Sequence, residues 1–219
     1  MADGLPPDYF VKQQIDETRR GRLFVVSGPS GVGKDTVIQH FLPLIDRVKL
    51  SVSATTRSMR PGETQDDPYH FFTMSEFRSL VEMDALLEYA EVNGNYYGTP
   101  RKMVDDELQR GNDVLLKIDV QGASAVRKKV PDAVLIFLMP PSYPELERRL
   151  RTRSTETEDQ IDRRLLDARK ELQEIPHYDY AVLNDDVPQA AERLRFIFQA
   201  ERCRVRTSPT PVLAPSYLL

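Results

Sequence analysis

The chain has 219 residues, enough to bury a sizeable core in one α/β domain with inserted parts. Apolar residues make up 40% and charged residues 29%, an ordinary balance for a soluble globular protein, and the formal net charge of -4 argues against duplex nucleic acid as a partner. A lone cysteine, Cys203, excludes an internal disulfide; His40, His70 and His177 lack metal-ligand spacing; MADGLPPDYF has no secretory-signal features; and no apolar run approaches the about 18 residues of a membrane span. The expectation is a cytoplasmic protein that binds neither nucleic acid nor membrane, with monomer and homo-oligomer both open.

Residues 1–20 are polar and hold two prolines, so they read as an extension, partly helical over 8–19. LFVVS (23–27) is a continuous apolar run, as in a strand buried on both faces. From Lys34 to Leu42 the pattern is helical, with Val37, Ile38 and Phe41 on one side. The stretch 51–98 is rich in strands and turns, with one short helix over 75–83 and a tight turn at Asn93-Gly94-Asn95. Thr99 then reads as an N-cap before Pro100, opening a helix over 100–110. DVLLKI (113–118), AVLIFL (133–138) and YAVLN (180–184) read as further buried strands. Helices are expected over 121–129, 144–151, 158–173 and 187–202, before a loose tail over 204–219 that holds RTSPTPVLAPSYLL. Strands alternating with helices predict an α/β fold on a parallel sheet, interrupted by a β-rich insert.

The stretch GPSGVGKDT (28–36) has the spacing of a phosphate-binding loop, and it follows a strand and opens a helix, as that mechanism requires. Gly28, Gly31 and Gly33, with Pro29, Ser30 and Val32 between them, let the backbone wrap an anion with its N–H groups. Lys34 adds a charge for the terminal phosphates. Asp35 stands where the motif wants a hydroxyl. Two unit charges about 4 Å apart interact by roughly 4 kcal/mol at an effective dielectric of 20, so a bare carboxylate aimed at phosphate would weaken binding. Asp35 therefore either faces a magnesium ion, directly or through water, or points outward and supports the first helical turn, leaving Thr36 to supply a hydroxyl. Asp119, at the carboxyl end of DVLLKI, is the second metal candidate; its alternative is to cap the next helix.

Further motifs follow in order: SATTRSMRPGE (53–63), Tyr69-His70-Phe71, Glu88-Tyr89, GNYYG (94–98) and IDVQG (118–122). With GPSGVGK, and with RTRSTETE (151–158) and LNDD (183–186) behind them, these resemble the guanylate kinase family over roughly residues 21–203. The resemblance implies a P-loop kinase fold with a parallel sheet flanked by helices, a GMP-binding insert over 51–99 and a helical lid over 146–165. The core then comprises 21–50, 100–145 and 166–203. It also implies transfer of a phosphoryl group from ATP to GMP with Mg2+ as cofactor. Arg57, Arg60, Tyr69 and Tyr97 are implied at the GMP phosphate, and guanidinium groups suit that bidentate task. Glu88 is implied as the reader of guanine, whose N1–H and N2–H2 donors one carboxylate can accept. Ser53 and Thr99 are implied beside the base, with Asp119 close to the acceptor. Tyr96 reads as a packing aromatic of the hairpin. Arg149, Arg153 and Arg164 are implied at the transferring phosphoryl group, and Asn184 at adenine.

Two positions depart from the family pattern. Lys117 stands where many members carry a second acid, and regular strand alternation puts it on the face of Asp119, where it can pair with that acid or touch a phosphate. Ser154 stands where a lid glycine is usual. A guanylate-kinase-like interaction module without catalysis is the rival reading; the presence of Lys34, Arg57, Arg60 and Glu88 weighs against it.

Overall fold

The computed structural model describes residues 20–66, 68–92, 94–152 and 158–204. The expected helix over 8–19, the tail from 205, Asn93, Arg153 and Ser154 lie outside the described residues. Chain order runs β1 (Leu23–Ser27), α1 (Lys34–Phe41), β2 (Val48–Leu50), β3 (Ser53–Thr55), β4 (Thr64–Gln65), β5 (Pro68–Phe71), α2 (Met74–Glu82), β6 (Leu86–Val92), β7 (Asn95–Pro100), α3 (Arg101–Gln109), β8 (Asp113–Lys117), α4 (Val120–Lys129), β9 (Val134–Met139), α5 (Tyr143–Arg151), α6 (Glu158–Gln173), β10 (Tyr180–Leu183) and α7 (Val187–Cys203).

Five strands pair in the order β10-β9-β1-β8-β2, and every pairing among them is parallel. The apolar runs 23–27, 113–118 and 133–138 become its inner strands because both faces are covered, whereas 180–184, expected to be buried as well, is the edge strand β10, in which only Val182 is buried because no strand pairs beyond it. On one face α1 and α7 pack Val37, Ile38, Phe41, Leu194 and Phe198 against Phe24, Val26 and Leu115. The Phe24 and Phe198 rings stack with centroids 3.6 Å apart. On the other face α3 and α4 bring Val104, Leu108, Ala123 and Val126 against Val25, Val114 and Leu116. The segments leaving β1 and β8 thus go to opposite faces, and the carboxyl ends of two strands that diverge in this way are where open α/β sheets receive ligands.

The sequence analysis expected four core strands; β2 is a fifth. It has three residues at the sheet edge, none buried, so no apolar run announced it.

The insert forms its own sheet, ordered β4-β5-β3-β7-β6. Its two faces follow from strand alternation. Ala54 and Leu86, with Tyr96, pack against Phe77 of α2, so Tyr96 is a packing aromatic as expected. The capping box of Thr73 and Glu76 starts α2. Register pairs Ser53 with Tyr69, and Thr55 with both Phe71 and Tyr97, so these side chains share the opposite face. Among the described residues no helix is long and apolar enough to cross a membrane.

Candidate active site

The loop after β1 enters α1 through Gly33, which caps the helix at φ 98, a left-handed conformation that glycine adopts without strain. No side chain caps this helix. By contrast Thr73, Asp119, Ser142 and Asp186 each cap a helix of their own with a side-chain oxygen. The first-turn N–H groups of α1 are therefore left for an outside acceptor, and the helix dipole favours an anion there. Lys34 folds back over the loop: its Nζ donates to the carbonyls of Gly28 at 2.6 Å and Pro29 at 3.2 Å. Burial pushes the Lys34 pKa down, against the opposing fields of Glu171, Asp35 and Asp119.

The loop is braced by four residues distant in sequence, Arg149, Asn184, Arg164 and Glu171. Val32 offers its carbonyl to Arg149 Nη1 at 3.2 Å and to the buried Asn184 Nδ2 at 2.7 Å. Arg149 also donates to the Asn184 carbonyl and to Glu145, and Arg148 with Arg149 holds the Glu145 carboxyl down to about 2. Arg164 donates to Ser30 Oγ at 2.6 Å, while the Ser30 N–H donates to Glu171 at 3.3 Å. Glu171 was missed by the sequence analysis. It lies seven residues after Arg164 on the same face of α6, a helical spacing that was there to be read. Burial raises its pKa.

Asp35 lies in the first turn of α1 and Thr36 follows it, both exposed. The Asp35 carboxylate pairs with Lys117 Nζ across the tips of α1 and β8. Asp119, one of the two partners the sequence offered Lys117, is otherwise engaged: strand β8 ends at Lys117, and Asp119 caps α4 by accepting the Gly122 N–H at 2.7 Å. Regular alternation stops before Asp119, so the two side chains are not forced onto one face.

On the insert, Glu63 grips Arg57 in a two-pronged bond, with Nη1 to Oε2 at 2.9 Å and Nη2 to Oε1 at 2.8 Å. The guanidinium carbon lies 5.4 Å from the Tyr69 ring centroid and 5.5 Å from that of Phe71. The Arg57 pKa is held up by Glu63 first, with Tyr97 adding. Tyr69 and Tyr97 meet edge to face with centroids 5.8 Å apart. Arg60 is exposed, and its backbone N–H donates to Glu63 at 2.8 Å. Ser53 opens β3, half-buried.

Glu88 is only 5% exposed, and its Oε1 accepts the Thr99 hydroxyl at 2.6 Å. Thr99 therefore does not cap α3: it sits inside β7, and Pro100 precedes the helix with no side-chain cap. A buried carboxylate outcompeted the cap for that hydroxyl. Burial, with the Asp119 charge adding, raises the Glu88 pKa to about 7. A β-carbon on Gly122 would stand 2.8 Å from Glu88 Oε2, so the glycine of IDVQG makes room for this carboxylate. The charge of Asp119 is felt at both Glu88 and Lys34.

Among the described residues no three His, Cys, Asp or Glu side chains cluster as a metal cage. Two carboxylates near Lys34, Asp35 and Asp119, fit a hard cation that takes most of its oxygens from phosphate and water.

The guanylate kinase family model matches residues 20–201. The guanylate kinase of Desulfitobacterium hafniense is 48% identical over 193 residues, spanning 88% of this chain and 96% of the relative. That of Streptococcus thermophilus is 50% identical over 189 residues, spanning 86% and 90%. The crystal structure of guanylate kinase from Anaplasma phagocytophilum superposes with a TM-score of 0.70 at 35% identity, covering 85% of this chain and 89% of that one.

Proposed function

Since this chain belongs to the guanylate kinase family, we propose that it transfers the γ-phosphoryl group of ATP to GMP, giving ADP and GDP. The observation that carries the reading is the buried Glu88 carboxylate on the insert. It lies beside Asp119, whose field also reaches the lysine of an uncapped phosphate loop.

In this reading the insert, residues 51–99, holds GMP. Arg57, Arg60, Tyr69 and Tyr97 take the phosphate, Glu88 accepts the N1–H and N2–H2 of guanine, and Ser53 and Thr99 flank the base. ATP lies along 28–36, with its terminal phosphates over Lys34 and the first turn of α1, and Asn184 on the adenine side. A GMP phosphate oxygen attacks the γ-phosphorus in line as the bond to the β-phosphate oxygen breaks, so no covalent enzyme intermediate forms. Lys34, Arg149 and Arg164 oppose the charge that spreads over the oxygens; Arg153, outside the described residues, belongs to the same proposed set. Residues 146–165 act as the lid, since Arg149 and Arg164 bond to the phosphate loop itself. Mg2+ would be held beside Asp119 and would supply positive charge against the phosphoryl oxygens; the other sequence candidate, Asp35, has its carboxylate paired with Lys117. The lone cysteine fits a cytoplasmic setting.

The test is ADP formation from MgATP with GMP, AMP, CMP and UMP in turn. Turnover is expected with GMP; equal turnover with AMP would overturn the role given to Glu88.

A further inference from the structure

Lys117 and Asp35 are this chain's two unusual residues beside the phosphate loop, and the fold joins them although 82 positions separate them. Register sets Lys117 opposite Val26, one residue before the end of β1, so its ammonium emerges where the loop begins. The Asp35 carboxylate, 70% exposed on its helix, draws that ammonium to the first turn of α1. The amino end of a helix repels a cation and attracts an anion. A lysine there is favoured only by the carboxylate that holds it and by an anion the site receives. An ammonium has three donors, so one bond to Asp35 leaves others for phosphate oxygens. The positive charge of Lys117 is also felt at Lys34, on the same loop-to-helix junction.

We propose that Lys117 is a second phosphate-contacting cation of the ATP site, and that Asp35 is the positioning residue that holds it, not a ligand of the metal. The inference rests on the ATP reading above. It gives the acid at position 35 a role that neither disables the loop nor requires a metal bond.

The test is calorimetric binding of ATP in EDTA, without metal, to the full-length protein and to Lys117→Met, Lys117→Arg, Asp35→Asn and the double variant Lys117→Met/Asp35→Asn. Lys117→Met is expected to weaken metal-free ATP about tenfold, the scale of a charge-assisted hydrogen bond, and Lys117→Arg to recover most of it. The loss on removing Lys117 persists in the Asp35→Asn background, because the ammonium acts on phosphate, but is smaller there, because Asp35 no longer holds the ammonium in place; an equal loss in both backgrounds would overturn the positioning role of Asp35. The Mg2+ concentration for half-maximal turnover stays within about twofold in Asp35→Asn. GMP binding to each variant reports that it has folded. Loss confined to the background with Asp35 intact would mean that Lys117 only cancels that carboxylate, and would sink the proposal. So would a large rise in the Mg2+ requirement of Asp35→Asn. Lys34→Ala separates the two levels. If it loses ATP while Lys117→Met does not, this inference alone fails; if it too binds ATP normally, the ATP reading fails with it.

Discussion

The two ends of the site are held in different ways. At the phosphate loop the functional cations rest largely on backbone oxygens: Lys34 on Gly28 and Pro29, Arg149 on Val32 and Asn184. On the insert the charged groups rest chiefly on side chains: the Arg57 cation on Glu63, with one bond to the Ser58 carbonyl, and the Glu88 carboxylate on the Thr99 hydroxyl. Backbone acceptors move only with the fold, so the donor end is pre-shaped. Side-chain partners can turn away, so the proposed acceptor end would share or exchange its partners when a substrate arrives. Glu63 already satisfies Arg57 with a planar two-oxygen group, the geometry a phosphate offers.

Breaking the donor end should cost most. Lys34→Ala is expected to lower kcat by at least about a hundredfold, as when a preorganised donor to a transition state is removed; steady-state rates at saturating GMP and ATP check it. Next in size is the guanine reader. Glu88→Gln replaces an acceptor by an amide that presents a donor, and the GMP preference over AMP should fall by at least about a hundredfold in kcat/KM.

The same carboxylate has two pH signatures. Its folded pKa, about 7, lies above the ordinary 4.5. The folded state thus holds a proton that the unfolded chain has lost, and the Glu88 contribution makes stability fall as pH rises from about 4.5 to about 7. Glu88→Gln should accordingly melt higher than the parent at pH 8, with the gap closing by pH 4. Binding runs the other way. Guanine needs the ionised carboxylate, so GMP affinity should weaken up to about tenfold per unit below pH 7 and level off above it. A flat GMP affinity from pH 5.5 to 8 would contradict the burial of Glu88 as described.

Smaller losses sharpen the contrast. Arg57→Ala is expected to raise the KM for GMP about tenfold or more while leaving that for ATP nearly unchanged, the loss expected of one charged hydrogen-bonding group. Gly122→Ala is the mildest. The new methyl meets Glu88 Oε2, the free end of a side chain, and alanine favours the helix by about 1 kcal/mol over glycine. Thermal stability should hold while the KM for GMP rises severalfold, as the carboxylate is pushed off its place.

Much of this was legible in one dimension. The runs 23–27, 113–118 and 133–138 are strands within a residue or so at their ends, because a strand buried on both faces must be apolar throughout; 180–184 is a strand too, but an edge one with only Val182 buried, so its apolar run overstated its burial. The helices were legible from their own periodicity, and the phosphate loop from local spacing. Edge strand β2 was not, since three exposed residues carry no pattern. Thr99 was misread as a cap because Thr-Pro favours a helix start locally, whereas its hydroxyl answers to a carboxylate eleven residues earlier on the neighbouring strand.

What the sequence determined by itself was therefore whatever depends on neighbours along the chain: secondary structure, the anion-binding turn, and the ordered motifs that mark the family. Tertiary structure decided which charges meet. Lys117 found Asp35 and left Asp119 to its helix, Glu171 reached Ser30 from 141 residues away, and Glu88 acquired its raised pKa through burial in the folded insert. Coulomb fields and desolvation depend on distance in space, and only strand register and helix packing set those distances.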